Sequence, residues 1–106
     1  MKLVPEPDTV AISLAGVMAA LSDPARVEIV RSLAECGEAS CGTFDLGLSK
    51  ATRSHHLRVL REAGITRTRA DGTRRIVSLR RDDLDARFPG LLDALLAAAE
   101  REAVPA

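Results

Sequence analysis

Lys50, Ser54, His55 and Arg58 have the side-chain chemistry to read a nucleic acid, and their spacing can bring them together. At helical periodicity Leu57 and Leu60 point inward, while Ala51, Ser54, His55, Arg58 and Glu62 fall on the opposite side. Lys50 then stands in the exposed first turn. Ser and His can meet base edges or phosphates, and Arg can contact guanine or the backbone. Alone, this set fits an ordinary solvated helix face equally well. A second cluster shifts the balance. Across an Asp71-Gly72 turn, Arg69 is expected opposite Arg74, with Arg67 diagonally close on the same face. Like charges facing each other across strands are destabilising. Three arginines on one face of a ribbon make sense if an anion lies against them, and phosphate beside a groove is the natural candidate.

Other chemistries find less support. No carboxylate pair, Gly-rich phosphate loop or Cys-His pair stands in a context that suggests catalysis. No metal site or cofactor is called for. Cys36 and Cys41 flank a Gly-containing loop that could bring them within disulfide range, so a thiol-redox or thiophilic-metal signal could tilt the helix-turn-helix beyond the loop. The plainer reading is a small core residue and a helix-start residue, both inert.

The zero net charge of the 106-residue chain hides a strong asymmetry. Met1 to Leu48 carries three Lys/Arg against seven Asp/Glu; Ser49 to Arg81 carries ten against two; Asp82 to Ala106 carries two against six. A +8 segment between two −4 flanks reads as the electrostatic footprint of a polyanion-binding face. The length suits one domain. With only Phe44 and Phe88 as aromatics, the core must be aliphatic. Two cysteines without an export signal suggest a cytoplasmic protein. The apolar run Val10 to Leu21 is too short to span a bilayer.

These residues need elements to position them. Apolar residues cover most of 7–21, and a helix apolar nearly all round must be buried on more than one side. Asp23-Pro24 starts a second helix, with Val27, Val30, Leu33 and Ala34 at helical spacing and Gly37 as its stop. A short helix over Cys41 to Leu46 and a longer one from a Ser49 cap to Gly64 make a helix-turn-helix, about 41–63. Two β-prone runs around Asp71-Gly72 make a hairpin wing, about 65–79, suited to a type I′ turn. Asp82 to Phe88 is a helical turn or two, and a last helix spans about 91–101. The predicted class is mainly α with a β-hairpin wing, a single winged-helix domain over 1–106. The apolar stripes of 7–21 and 91–101 exceed what one small domain can cover, so they are the expected homodimer interface.

The runs "LSDPARVEIVRSL", "LGLSKATRSHHLRVLREAGI" and "TRADGTRRIVSL" closely resemble the ArsR/SmtB-type winged-helix regulators, over nearly the whole chain. Ser54 to Gly64 is the most specific part. The resemblance implies a homodimeric repressor of an inverted-repeat double-stranded operator, released by an inducer the residues do not name. It places Ser49, Lys50, Thr52, Ser54, His55, His56 and Arg58 in the recognition helix region, and Arg67, Arg69, Arg74 and Arg75 in the wing. The different-class alternative is a winged-helix module that docks proteins, which has no need of clustered wing arginines. Family metal sites do not map here. The Cys-x-Cys pair of the first motif helix is absent, and the last helix has Asp93, Glu100 and Glu102 but no His. The segment between Gly37 and Ser49 is a couple of residues short for the family. Arg53 stands where relatives carry an apolar residue, and Asp45 is its expected partner.

Overall fold

Asp23 lies ahead of the first strongly periodic run, and its side chain caps a helix as its type predicts. Its Oδ1 accepts from the Ala25 N–H at 2.8 Å, and Pro24 takes the first helical position, where a missing N–H costs little. The computed structural model describes residues 6–40 and 46–103. Within them a 3₁₀ turn (Thr9–Ala11) precedes α1 (Leu14–Ala20) and α2 (Pro24–Cys36). Then come β1 (Glu38–Ser40), α3 (Lys50–Glu62), β2 (Thr66–Asp71), β3 (Arg74–Leu79), α4 (Arg81–Arg87) and α5 (Leu91–Ala103). The short helix expected at Cys41 to Leu46 falls mainly on 41–45, outside the described residues.

The first helix is shorter than its apolar composition predicts. Residues 7–21 do not run as one helix, because Ile12 and Ser13 are extended between the 3₁₀ turn and α1. The reason is tertiary. Arg80 Nη1 donates to the Pro7 carbonyl at 2.6 Å, and Arg87 Nε and Nη2 donate to the Ile12 carbonyl. Arg80 is 5% exposed, and its Nε also donates to Asp83 at 2.9 Å, so its charge is buried with its donors used. These bonds hold the N-terminal segment extended and seat Ile12 in the core. Ala34, expected on the buried stripe of α2, is exposed; Ile29, Val30 and Leu33 carry that stripe.

The wing is part of a three-stranded antiparallel sheet in the order β1-β3-β2. β1 was not legible from periodicity. It is three residues long and exists through pairing with β3, Glu38 opposite Ser78. The hairpin forms, but one register step from the expected one. Its turn residues are Gly72 and Thr73, so Asp71 faces Arg74 and Arg69 faces Ile76. A type I′ turn on Asp71-Gly72 would need positive φ at both, whereas only Gly72 has it, at 64°. That is the pattern of a type II′ turn, and it sets opposite rather than like charges across the strands. The burial pattern alternates accordingly: Thr66 and Thr68 are buried, Arg67 and Arg69 exposed. An aliphatic core of Ile12, Val17, Ile29, Leu33, Leu60 and Val77, among others, joins α1, α2, α3 and the sheet. Among the described residues no helix is long and apolar enough to cross a membrane.

Candidate nucleic-acid interface

α3 begins with Ser49, whose Oγ accepts from the Thr52 N–H at 3.1 Å and donates to Thr52 Oγ1 at 2.9 Å. Both hydroxyls are thus engaged in holding the first turn. From there Lys50, Ser54, His55 and Arg58 stand exposed on one side, while Leu57 and Leu60 fasten the other side to the core. Arg58 Nη2 lies 3.4 Å from His55 Nδ1. No acidic residue occupies the first turn, so the positive end of the helix dipole and Lys50 reinforce each other.

His56 stands apart from this set. It is 7% exposed and turned toward α2, where Arg26 Nη1 lies 3.1 Å from its Nδ1. Arg26 also donates through Nε to the carbonyl of Ala20, at the end of α1. His56 therefore seats α3 against α2 rather than facing outward from it. Arg53 is half-buried, with no ion pair among the described residues, and Asp45 lies outside them.

Between α3 and the hairpin lies an open cleft of about 670 Å³. Its walls include Lys50, His55, Arg58 and Arg61 from the helix and Arg74 and Arg75 from the hairpin, with Ser54, Thr68 and Thr73 supplying hydroxyls. Five of its lining residues are Lys or Arg and none is a carboxylate. Arg61, Thr68 and Thr73 were not singled out by sequence reasoning. For Arg61 a signal existed: Ser54, Arg58 and Arg61 recur at i, i+4 and i+7, one helical stripe.

The wing arginines divide by face. Arg75 faces Ala70 across the strands and so shares the helix side of the sheet with Thr68 and Val77. It is exposed and has no carboxylate partner among the described residues. Arg67 and Arg69 lie on the other side. Arg67 Nε donates to Glu6 at 2.7 Å and its Nη2 to Asp83 at 3.3 Å; the bond to Glu6 chiefly holds its pKa above the ordinary arginine value. Arg69 reaches Glu38 of β1 at 3.0 Å, and Arg74 reaches Asp71 at 3.3 Å. All three arginines expected to await an anion already have carboxylate partners, Arg67 and Arg69 from outside the hairpin and Arg74 from the facing strand.

The remaining candidates do not form a second site. Cys36, at the end of α2, is exposed, with its Sγ 3.5 Å from the Glu38 carbonyl oxygen; Cys41, its expected partner, lies outside the described residues. No group of three His, Cys, Asp or Glu side chains among the described residues could hold a metal ion.

The arrangement of a capped basic helix beside a basic hairpin has close counterparts. Residues 23–68 match the model of the bacterial regulatory protein, arsR family. The chain is 43% identical over 84 residues to the HTH-type transcriptional regulator YceK of Bacillus subtilis, covering 76% of this chain and 84% of that protein. This chain belongs to the ArsR family. Two solved structures place this regulator's fold. The transcriptional repressor BigR of Xylella fastidiosa is 32% identical, with a TM-score of 0.66 over 88% of this chain and 89% of that one. The homodimeric winged helix-turn-helix DNA-binding domain Mb0332 of Mycobacterium bovis is 27% identical, with a TM-score of 0.67 over 86% and 82%. The regulator's fold is thus a winged helix-turn-helix, mainly α with a β-hairpin wing.

Proposed function

We propose that this regulator binds an inverted-repeat DNA operator as a homodimer and acts as a repressor. The observation that carries the reading is the carboxylate-free cleft, lined by five cations, between α3 and the hairpin. In this reading the N-terminal half of α3 enters the major groove. Arg58 suits guanine O6 and N7, Ser54 and His55 meet base edges, and Lys50 meets phosphate. Two copies are needed because Val10, Leu14 and Met18 are exposed, Val10 at 81%, on the segment that leads into the core. Leu95 and Leu96 of α5 are only half-buried. Pairing would cover these surfaces and set two reading helices about one DNA turn apart, roughly 34 Å. Homodimer and repressor are also what the Mycobacterium bovis and Xylella fastidiosa relatives are.

Release of DNA is assigned in the same reading to the two thiols. Hydrogen peroxide would join Cys36 and Cys41 as a disulfide, taking both thiol protons and leaving as two waters, and alter the path from α2 into the helix-turn-helix.

The test is a gel shift with duplex from upstream of the regulator's own gene, beside a scrambled duplex of equal length. Two chains per specific duplex are expected. Affinity should fall about 10³- to 10⁵-fold between roughly 50 and 200 mM salt if the dimer neutralises about six to ten phosphates. Equal, salt-insensitive affinity for both duplexes would overturn the reading. Release by peroxide that persists in Cys36→Ser would overturn the thiol assignment alone.

A further inference from the structure

We propose that Arg61 and Arg75 form a seat for one phosphodiester group of the DNA backbone, and that Arg67 and Arg69 are structural ties that do not touch DNA. The proposal rests on the DNA-binding reading above and divides its charges between binding and folding.

Arg61 is half-buried, and its Nε is shielded from solvent with no hydrogen-bond partner among the described residues. A shielded guanidinium donor left unpaired is costly, and buried polar groups normally have partners. No carboxylate lines the cleft around it to serve as that partner. The cleft's lining also includes the hydroxyls of Thr68 on β2 and Thr73 in the turn, and these can donate to an anion as readily as they accept. Arg75 stands across the cleft on the helix-facing side of β3, exposed and unpaired among the described residues. Two guanidinium forks with adjacent hydroxyls suit a group that only accepts, carries charge and has several oxygens. A phosphodiester meets all three conditions.

The other face of the sheet has the opposite character. Arg67 is held by Glu6 and Asp83, from the N-terminal segment and α4, and Arg69 by Glu38 of β1. Moving either guanidinium to a phosphate would leave Glu6 or Glu38 without its cation near a polyanion. Their spacing along β2 thus reflects stitching of the sheet to its neighbours. The DNA backbone passes on the far side of the strands, between helix and wing.

The test compares salt dependence of operator binding for Arg75→Ser, Arg61→Gln and Arg69→Ser, each first checked for folding by circular dichroism. A lost phosphate contact lowers the slope of log K against log salt by about 1 per site, hence by about 2 for a dimer. Arg75→Ser and Arg61→Gln are each expected to show this loss on specific and scrambled duplex alike, and Arg69→Ser to keep the parent slope. Should Arg61→Gln fail to fold, the exposed Arg75 decides by the same readout. Unchanged slopes in the cleft variants, or a lowered slope in Arg69→Ser, would overturn the proposal. Inorganic phosphate at matched ionic strength is a further arm. Displacement of DNA by it beyond that by chloride is expected in the parent and not in Arg75→Ser, because the two anions compete for one seat; equal displacement in both would overturn the backbone assignment. A parent protein that binds no DNA would instead sink the functional reading itself.

Discussion

Replacing Gly64 by Ala should cost this small domain a large part of its stability. Gly64 ends the reading helix in a left-handed conformation, φ 84°. Its N–H bonds to the Arg61 carbonyl, and the Ile65 N–H to the Leu60 carbonyl, both at 3.0 Å, which is the Schellman arrangement. Leu60 and Ile65 are both fully buried beside it. An Ala in that conformation costs about 1–2 kcal/mol from backbone sterics alone. A Cβ here would also lie 2.5 Å from Cγ1 and 2.8 Å from Cδ1 of Ile12, itself 1% exposed. Ile12 is pinned through its carbonyl by Arg87, so it has little room to retreat, and overpacking of this kind costs about 1–3 kcal/mol. The sum is about 2–5 kcal/mol, set against a total of about 5–15 kcal/mol for a domain of this size. Urea unfolding at one fixed protein concentration measures it, since a dimer's midpoint depends on concentration. Ile12→Ala in the same background completes a double-mutant cycle. The pair should be less destabilised than the sum of the singles by about 1–3 kcal/mol, because shortening Ile12 clears the new methyl. A Gly64→Ala loss under about 0.5 kcal/mol, or an additive cycle, would refute the close approach of Ile12 to the helix end.

Two further perturbations address the ties that hold the reading helix and the wing. Asp83 accepts from Arg80 Nε, Thr9 Oγ1 and Arg67, and chiefly the bond from Arg80 holds its carboxyl below the ordinary 3.8. Its stabilising contribution is present above the unfolded value and lost as pH falls through the lower folded one; in melting curves between about pH 5 and pH 2, Asp83→Asn should therefore lose less stability on acidification than the parent. An equal acid loss in both would show that this carboxylate has no part in it. Arg26→Ala leaves the buried Nδ1 of His56 and the Ala20 carbonyl without their donor, at a cost of about 2 kcal/mol or more in urea unfolding. Operator affinity should fall with it, and a change under about 0.5 kcal/mol would mean that Arg26 does not seat α3.

The features legible in the sequence were those decided locally. The caps at Asp23 and Ser49 satisfy N–H groups two or three residues away, so residue type and position were enough. The Leu57 and Leu60 stripe likewise fixed which side of α3 turns inward. His56 obeys the same arithmetic, four residues before Leu60, and falls on the buried side; the resemblance that places it in the recognition helix carries no face. Long-range pairing decided the rest. β1 exists only beside β3, and the break at Ile12 only because Arg80 and Arg87 claim carbonyls about seventy residues earlier. The hairpin was legible as a hairpin, but Asp71-Gly72-Thr73 can place either of two residue pairs in the turn. The two turns differ by two positions along β3 and leave the same faces inward, so alternation does not choose between them; the observed one sets Asp71 opposite Arg74 and puts the positive φ on Gly72 at the first turn position.

That register bears on how much charge is left for DNA. Of the ten basic residues between Ser49 and Arg81, Arg67, Arg69, Arg74, Arg80 and Arg81 contact carboxylates within 4 Å. Lys50, Arg53, Arg58, Arg61 and Arg75 do not, among the described residues, and four of those five lie on α3. The +8 of the segment therefore overstates its pull on a polyanion. Four of its cations neutralise the acidic flanks that the chain carries at either end, and Arg74 neutralises Asp71 within the segment, which is why so basic a stretch folds within a chain of zero net charge. If only the unpaired half meets phosphate, a dimer has at most ten such groups, and the salt slope of operator binding is bounded near −9. A measured slope steeper than this bound would require carboxylate-paired arginines such as Arg67 and Arg69 to open on DNA, with Glu6 and Glu38 released to solvent.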